Sequence, residues 1–247
     1  MSAEGRAGAV NMALDQALLD QAEETGEGFV RLYRWAPFCL SFGRHEPALR
    51  RYDQAAILRR GLDAVRRPTG GRAVWHAREL TYAVAAPTSW FGTLPQSYQA
   101  IHAVLAQAVR ALGVPAELAP AATIAGITSG ACFASMAGGE VKALGRKLVG
   151  SAQLRQGSAF LQHGSLLLEG DQAVVAEITL GAAPAGGEIT LREAAGRPIG
   201  FEEAAEAVTE AFRRFGGSWQ AAGPDDLAPL TTVRLAWFAD PTWTWRR

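Results

Sequence analysis

Period-two apolar patterns in this chain come in adjacent clusters instead of alternating one by one with helical stretches, and this order constrains the fold more than composition does. Residues 29–35 (Phe-Val-Arg-Leu-Tyr-Arg-Trp) alternate apolar and polar and 37–43 repeat the theme, so two neighbouring strands are expected. Residues 80–84 and 160–168 read as further strands, and 141–144 with 147–154 as a hairpin turning near Gly145. Helical spacing fills the intervals. Asn11 can cap a helix over 11–22 with Leu14, Ala17 and Leu18 on one face, and Asp53 a short one over 53–60 that Gly61 ends. Pro95 suits the first turn of a long helix with Ile101, Val104, Leu105, Ala108, Val109 and Leu112 on its apolar face, closed by Gly113. Two more follow at 172–180 and 202–215, the second with Glu202 and Glu203 early and Arg213 and Arg214 late, as the helix dipole prefers. Clusters of this kind point to an α+β fold with a mixed β-sheet flanked by helices.

The 247 residues suffice for one large domain or two small ones, and the sequence contains no internal repeat or disordered linker. With 49% hydrophobic residues and a formal net charge of zero, the chain offers no global field for nucleic acid or an anionic membrane, so its ligand is recognised locally. Residues 1–6 lack the apolar core of a signal peptide, no apolar run approaches spanning length, and a cytoplasmic protein is expected. In that compartment Cys39 and Cys132 are reduced thiols, and Cys39, among strand residues, reads as a small core hydrophobe. Residues 115–130, rich in Ala, Gly, Pro and Thr, read as a long loop or a poorly packed strand, and the aromatic stretch 237–245 is expected to pack on the body of the domain.

Lysine occurs only at positions 142 and 147, while every other strong base is arginine. An ammonium is a compact charge whose pKa moves readily on burial, whereas guanidinium stays charged, so an amine kept at Lys147 suggests chemistry. A surface lysine at a turn is the ordinary alternative. Cys132 lies fifteen residues upstream, and a thiol near an ammonium becomes the reactive thiolate. Beyond the lysine, Gly150, Ser151 and Ala152 leave room beside a strand backbone. In Arg66-Arg67-Pro68-Thr69-Gly70-Gly71-Arg72 the paired glycines let backbone approach a ligand and the arginines could hold an anion, although a plain turn fits as well. His163 precedes Gly164 inside a strand, where a structural histidine is the commoner case. No metal-binding spacing and no Walker or Rossmann fingerprint occurs, so metal catalysis is not expected. A thiol, an amine, histidines and a glycine loop suit acyl transfer through a cysteine thioester.

The three segments, in this order, resemble the catalytic domain shared by biotin and lipoate ligases and octanoyltransferases. Arg67-Pro68-Thr69-Gly70-Gly71-Arg72-Ala73-Val74-Trp75-His76 with Glu79-Leu80-Thr81-Tyr82 is similar to the family's arginine-glycine loop. Gly145-Arg146-Lys147 with Gly150-Ser151-Ala152-Gln153 is similar to its lysine motif, and Leu161-Gln162-His163-Gly164-Ser165 completes the match. Cys132-Phe133, and Arg72 where ligases typically have a third glycine, bring the chain nearest to the LipM-type octanoyltransferase group. The resemblance implies a biotin/lipoate ligase-like catalytic domain over 29–215, with an N-terminal helix in 1–28 and a C-terminal segment, 216–247, packed on it.

It further implies a reaction. Cys132 takes an octanoyl group from octanoyl acyl carrier protein as a thioester, and a lysine of a lipoyl domain, such as glycine-cleavage H protein, receives it as an amide in lipoate biosynthesis. Lys147 is implied to lower the Cys132 pKa and to hold the thioester oxygen. Arg67, Thr69, Gly70, Gly71, Arg72, Gly150, Ser151, Ala152 and Gly164 are implied to bind substrate, the glycine loop and the strand at 150–152 walling an apolar tunnel. His76 and His163 are implied as proton carriers or positioning groups. Burying about seven methylenes at ~0.8 kcal/mol each gives on the order of 5 kcal/mol for selecting the chain. No cofactor or metal is implied. The alternatives are an ATP-dependent lipoate-protein ligase, in which Cys132 is idle, and a non-catalytic acyl-binding protein that kept the fold.

Overall fold

The computed structural model describes residues 5–120, 139–181, 186–222 and 224–246. Its centre is a four-stranded antiparallel sheet in the order β1-β5-β10-β9, formed by β1 (Phe29–Tyr33), β5 (Glu79–Pro87), β9 (Val149–Gln156) and β10 (Ala159–Leu167). Strand β5 is buried over eight successive residues because both faces of the sheet are covered. On one face lies α1 (Gly8–Thr25), whose Met12, Leu18 and Leu19 pack with Ala83, Ala85 and Leu161. On the other, α4 (Leu94–Ala111) and α7 (Phe201–Arg214) bury Ile101, Val104, Val208 and Phe212 against Val84 and Phe160.

Beside this sheet stands a three-stranded mixed sheet. Its central strand β2 (Cys39–Phe42) runs parallel to β3 (Asp63–Arg66) and antiparallel to β4 (Val74–His76). Strands β6 (Ala116–Leu118), β7 (Val141–Ala143) and β8 (Arg146–Lys147) make a third sheet. The hairpin β7–β8 turns through Leu144 and Gly145, both with positive φ, the geometry of a type I′ turn. Short helices α2 (Ala48–Arg51), α3 (Gln54–Arg59), α5 (Ala173–Ile178) and α6 (Leu191–Ala195) line the periphery, and α8 (Pro224–Ala239) and α9 (Pro241–Thr244) end the chain.

Three local expectations change. The arm expected over 147–154 is divided, with Arg146–Lys147 paired to β7 in the third sheet and Val149–Gln156 paired to β10 in the central one. Helix α1 begins at Gly8, and Asn11 is not its cap but a buried residue whose amide donates to the carbonyls of Arg6 and Arg34. The carboxylate of Asp63 accepts from the Gly8 amide at 3.0 Å, so the helix end is served from 55 residues away, which no local pattern reveals. The segments 29–35 and 37–43 do give strands β1 and β2, but these belong to different sheets, with the cis Ala36–Pro37 bond between them.

The aromatic end packs as expected: Phe238 and Trp243 join the α1 face of the core. A fully buried Arg66 donates from Nε to the carbonyl of Trp243 at 2.8 Å, and from its Nη atoms to those of Thr244, Gly43 and Glu46. The Trp243 indole returns a hydrogen bond to the Arg66 carbonyl at 3.1 Å. Cys39 has no exposed surface, and burial, with Asp63 beside it, pushes its thiol well above the ordinary value, which makes it an inert core residue.

Candidate active site

Strands β4, β9 and β10, the loop 67–72 and helix α1 meet at a narrow cavity of about 20 Å3, room for roughly one water molecule. Of the residues singled out in the sequence, Arg67, His76, Gly150, Ser151, Ala152, His163 and Gly164 line it. Apolar contributions come from Met12, Trp35 and Val74. The strand register explains the grouping: His163 faces Ala152 and Gly164 faces Ser151 across β9–β10. A Cβ on Gly164 would sit 2.4 Å from Ser151 Oγ and 2.5 Å from the Gly150 carbonyl, so only glycine allows this approach.

Thr69, Gly70, Gly71 and Arg72 stand behind this wall. Arg67 donates from Nη1 to the Ser41 carbonyl and hydroxyl, and from Nη2 to the carbonyls of Gly70 at 3.0 Å and Arg72 at 2.9 Å. Arg66 therefore spends its donors on backbone and Arg67 on backbone and the Ser41 hydroxyl, and the loop folds onto its own arginine. Gly71 has φ +92°, which a side chain rarely adopts, whereas a Cβ on Gly70 would meet nothing within 4 Å. The tightest contact of the loop is with Gly43, where a Cβ would lie 1.9 Å from the Gly71 carbonyl.

Lys147 is buried, 2% exposed, and its Nζ lies 2.7 Å from Oε1 of Glu140, itself 3% exposed. Tyr98 of α4 donates to the same carboxylate oxygen at 3.3 Å and sets its ring edge-on to His102. His102 has no exposed surface, and its Nε2 is 2.8 Å from Ser151 Oγ, which also contacts the Tyr82 hydroxyl at 2.6 Å. Burial pushes His102 down to about 3, with the Lys147 charge adding to the effect, so the ring is neutral at physiological pH. Lys142 is different: it pairs with Glu117 at 3.3 Å on the outer part of the third sheet. Cys132 lies in 121–138, outside the described residues.

Four buried polar residues of the site escaped the sequence reading as site residues. Asp15 touches His163, Glu79 touches His76, Ser41 lies between His76 and Arg67, and Glu140 holds Lys147. Asn11 and Asp15, one turn apart among the apolar residues of the first half of α1, were a legible signal, since buried polar side chains require partners. Both address Arg31, Asp15 with a 2.8 Å ion pair and Asn11 through its Oδ1. A larger cavity of about 340 Å3, on the α4–α7 face between Val30, Val84, Ile101 and Phe212, has no titratable group in its lining. Among the described residues no group of three or more His, Cys, Asp or Glu side chains could hold a metal ion, and no helix is long and apolar enough to cross a membrane.

The architecture is that of the lipoate-protein ligases. The chain superposes on a Thermoplasma acidophilum lipoate protein ligase solved with bound lipoic acid at a TM-score of 0.79 and 16% identity, covering 98% of this chain and 99% of that one. Residues 7–213 match the model of the lipoyl protein ligase A/B catalytic domain, and the chain belongs to that family. Its relatives include the octanoyltransferase LipM of Kyrpidia tusciae, 39% identical over 83% of this chain and 81% of the relative. The octanoyltransferase LipM of Carboxydothermus hydrogenoformans is 38% identical over 66% of this chain and 62% of its own length. The LipM-type likeness read from the glycine loop and the Cys-Phe pair stands on these relatives as well.

Proposed function

We propose that this chain is an acyltransferase of lipoate biosynthesis that moves an octanoyl group from octanoyl acyl carrier protein to a lysine of a lipoyl domain, glycine-cleavage H protein being the expected acceptor. The observation that carries this reading is the identity with LipM octanoyltransferases along most of the chain, coupled with an amine buried next to the strand of small residues. Cys132 attacks the thioester carbonyl, the carrier thiol leaves with a proton, and an octanoyl-cysteine forms. The acceptor amine then attacks that thioester, its carbonyl becomes an amide, and the thiol is regenerated.

Lys147 serves the first step as a buried cation. Paired with Glu140, the ammonium is held in place, and a positive charge near the thiol favours thiolate. Donation to the developing oxyanion by a preorganised group of this kind is worth roughly 3 kcal/mol. The acyl chain is to lie along Gly150, Ser151, Ala152 and Gly164, with the loop at 67–72 opposite. A cavity with room for about one water is too small for eight carbons, so the walls must part on binding. We read residues 29–215 as the catalytic domain, with 1–28 and 216–247 packed on it; Met12 and Asp15 make α1 a working part of the site. A cytoplasmic location suits a carrier-protein donor.

The test is transfer without ATP. Purified protein, octanoyl carrier protein and an apo lipoyl domain should yield octanoylated domain with no nucleotide present. A requirement for ATP and free octanoate would identify a ligase instead, and binding without turnover a non-catalytic acyl-binding protein.

A further inference from the structure

Each imidazole that lines the cavity, His76 and His163, is the middle member of a hydrogen-bonded series, and the two series have the same order. In one, Oε1 of Glu79 is 2.7 Å from Nδ1 of His76, and Nε2 of His76 is 2.5 Å from the Ser41 hydroxyl, which accepts from Arg67 at 2.6 Å. In the other, Oδ2 of Asp15 is 2.9 Å from Nδ1 of His163, and Nε2 of His163 is 2.6 Å from the Thr69 hydroxyl. Carboxylate, imidazole and hydroxyl in this order match a hydrolytic triad. Ser41 and Thr69, however, have no exposed surface, and Arg67 caps the Ser41 oxygen, so neither hydroxyl can meet a substrate.

Proton counting assigns both rings. Burial would raise the Asp15 carboxyl, but His163, Arg31 and Tyr33 outweigh it and hold it below the usual range, so it only accepts. The proton of His163 is then on Nδ1, and Nε2 accepts the Thr69 hydroxyl. At His76, Glu79 Oε1 also collects the hydroxyls of Thr81 at 2.5 Å and Ser165 at 2.8 Å. Ser41 takes its hydrogen bond from Arg67 and has its own proton left to give, for which Nε2 of His76 is the acceptor. All four ring nitrogens are thus committed to protein. What the rings offer the cavity is carbon, and Trp35 stacks on His76 at 4.1 Å.

We propose that Asp15 and Glu79 are positioning residues which lock His163 and His76 as uncharged Nδ1–H rings, making them apolar walls of the cavity and struts of the loop 67–72. The consequence for an acyl chain rests on the octanoyl-transfer reading; the proton positions do not. A neutral, carbon-presenting wall admits an alkyl chain, whereas an unpaired ring nitrogen in so small a space would cost desolvation on every binding event.

Two-bond 1H–15N correlation spectra of the 15N-labelled full-length protein at neutral pH test this directly, because the chain has only four histidines to assign. Both His76 and His163 should carry the proton on Nδ1 and show Nε2 as a hydrogen-bonded acceptor; a proton on Nε2 of either ring overturns the assignment. Thr69→Val should move the His163 Nε2 resonance and Thr69→Ser should restore it, and an unmoved resonance in Thr69→Val is equally fatal. In octanoyl transfer, Asp15→Asn and Thr69→Val should raise KM for the octanoyl donor about tenfold with kcat within about twofold, the signature of lost uniform binding. A fall in kcat at constant KM would put the rings in the chemistry and overturn the wall role. Should Asp15→Asn fail to fold, since Arg31 also depends on it, the threonine pair carries the test. Absence of any transfer by the wild-type protein would sink the functional reading while the nitrogen spectra still judge the proton positions.

Discussion

His102 gives the structure a calculable weakness in acid. The ring is wholly buried and burial holds it at about 3 against an ordinary value of 6.5, so between those limits the unfolded chain takes up a proton that the folded chain refuses. With the folded value depressed, the stability due to the neutral ring is complete above pH 6.5 and is lost as pH falls toward 3. At pH 5 the unfolded state gains 1.5 units of protonation free energy, about 2 kcal/mol at ~1.36 kcal/mol per unit. Any folded value below about 4 gives nearly the same answer. Urea unfolding of wild type and His102→Gln at pH 7 and pH 5 isolates the contribution, since glutamine can still bond to Ser151 but does not titrate. His163, depressed by burial in the same direction, remains in both proteins and cancels. Wild type should lose about 2 kcal/mol more than the variant between the two pH values. Equal losses would show that His102 does not stay neutral in the folded protein.

Gly164→Ala should cost about 1–3 kcal/mol and most of the transfer activity, since its Cβ meets Ser151 and the Gly150 carbonyl; thermal melts and an activity assay check it. Arg66→Met strips the carbonyls of Gly43, Glu46, Trp243 and Thr244 of a donor, and at about 1 kcal/mol each should destabilise by ~4 kcal/mol, with earlier proteolysis of the C-terminal segment. Lys147→Arg should lower kcat by at least about 100-fold, because a larger planar guanidinium does not reproduce the compact charge held beside Glu140, while Lys142→Arg, at a partly exposed pair, should leave kcat unchanged. Steady-state rates separate the two lysines.

Much of this architecture can be read from periodicity. The long helix α4, the buried strand β10 and the turn at Gly145 are local signals, and each lies where its pattern puts it. Partnerships between distant residues are not local. Asp63 serving the end of α1 and Arg66 gathering the carbonyls at 243–244 depend on where the chain returns, and nothing adjacent in sequence encodes them. The glycine loop shows the same division. Its presence is legible in Gly70-Gly71, but its tightest contact is made by Gly43, and the arginine flanking it turns inward. His76 and His163 are found by motif, whereas their state is set by Glu79 and Asp15.

The proposed transfer passes through a covalent octanoyl-enzyme at Cys132, which intact mass after exposure to octanoyl carrier protein without ATP reads out. Cys39 is buried with its thiol pushed up, so it should stay unmodified. One octanoyl adduct is expected on the wild-type protein, mapped to the peptide containing Cys132 and absent from Cys132→Ser. No adduct on wild type, or an undiminished one on Cys132→Ser, would contradict it.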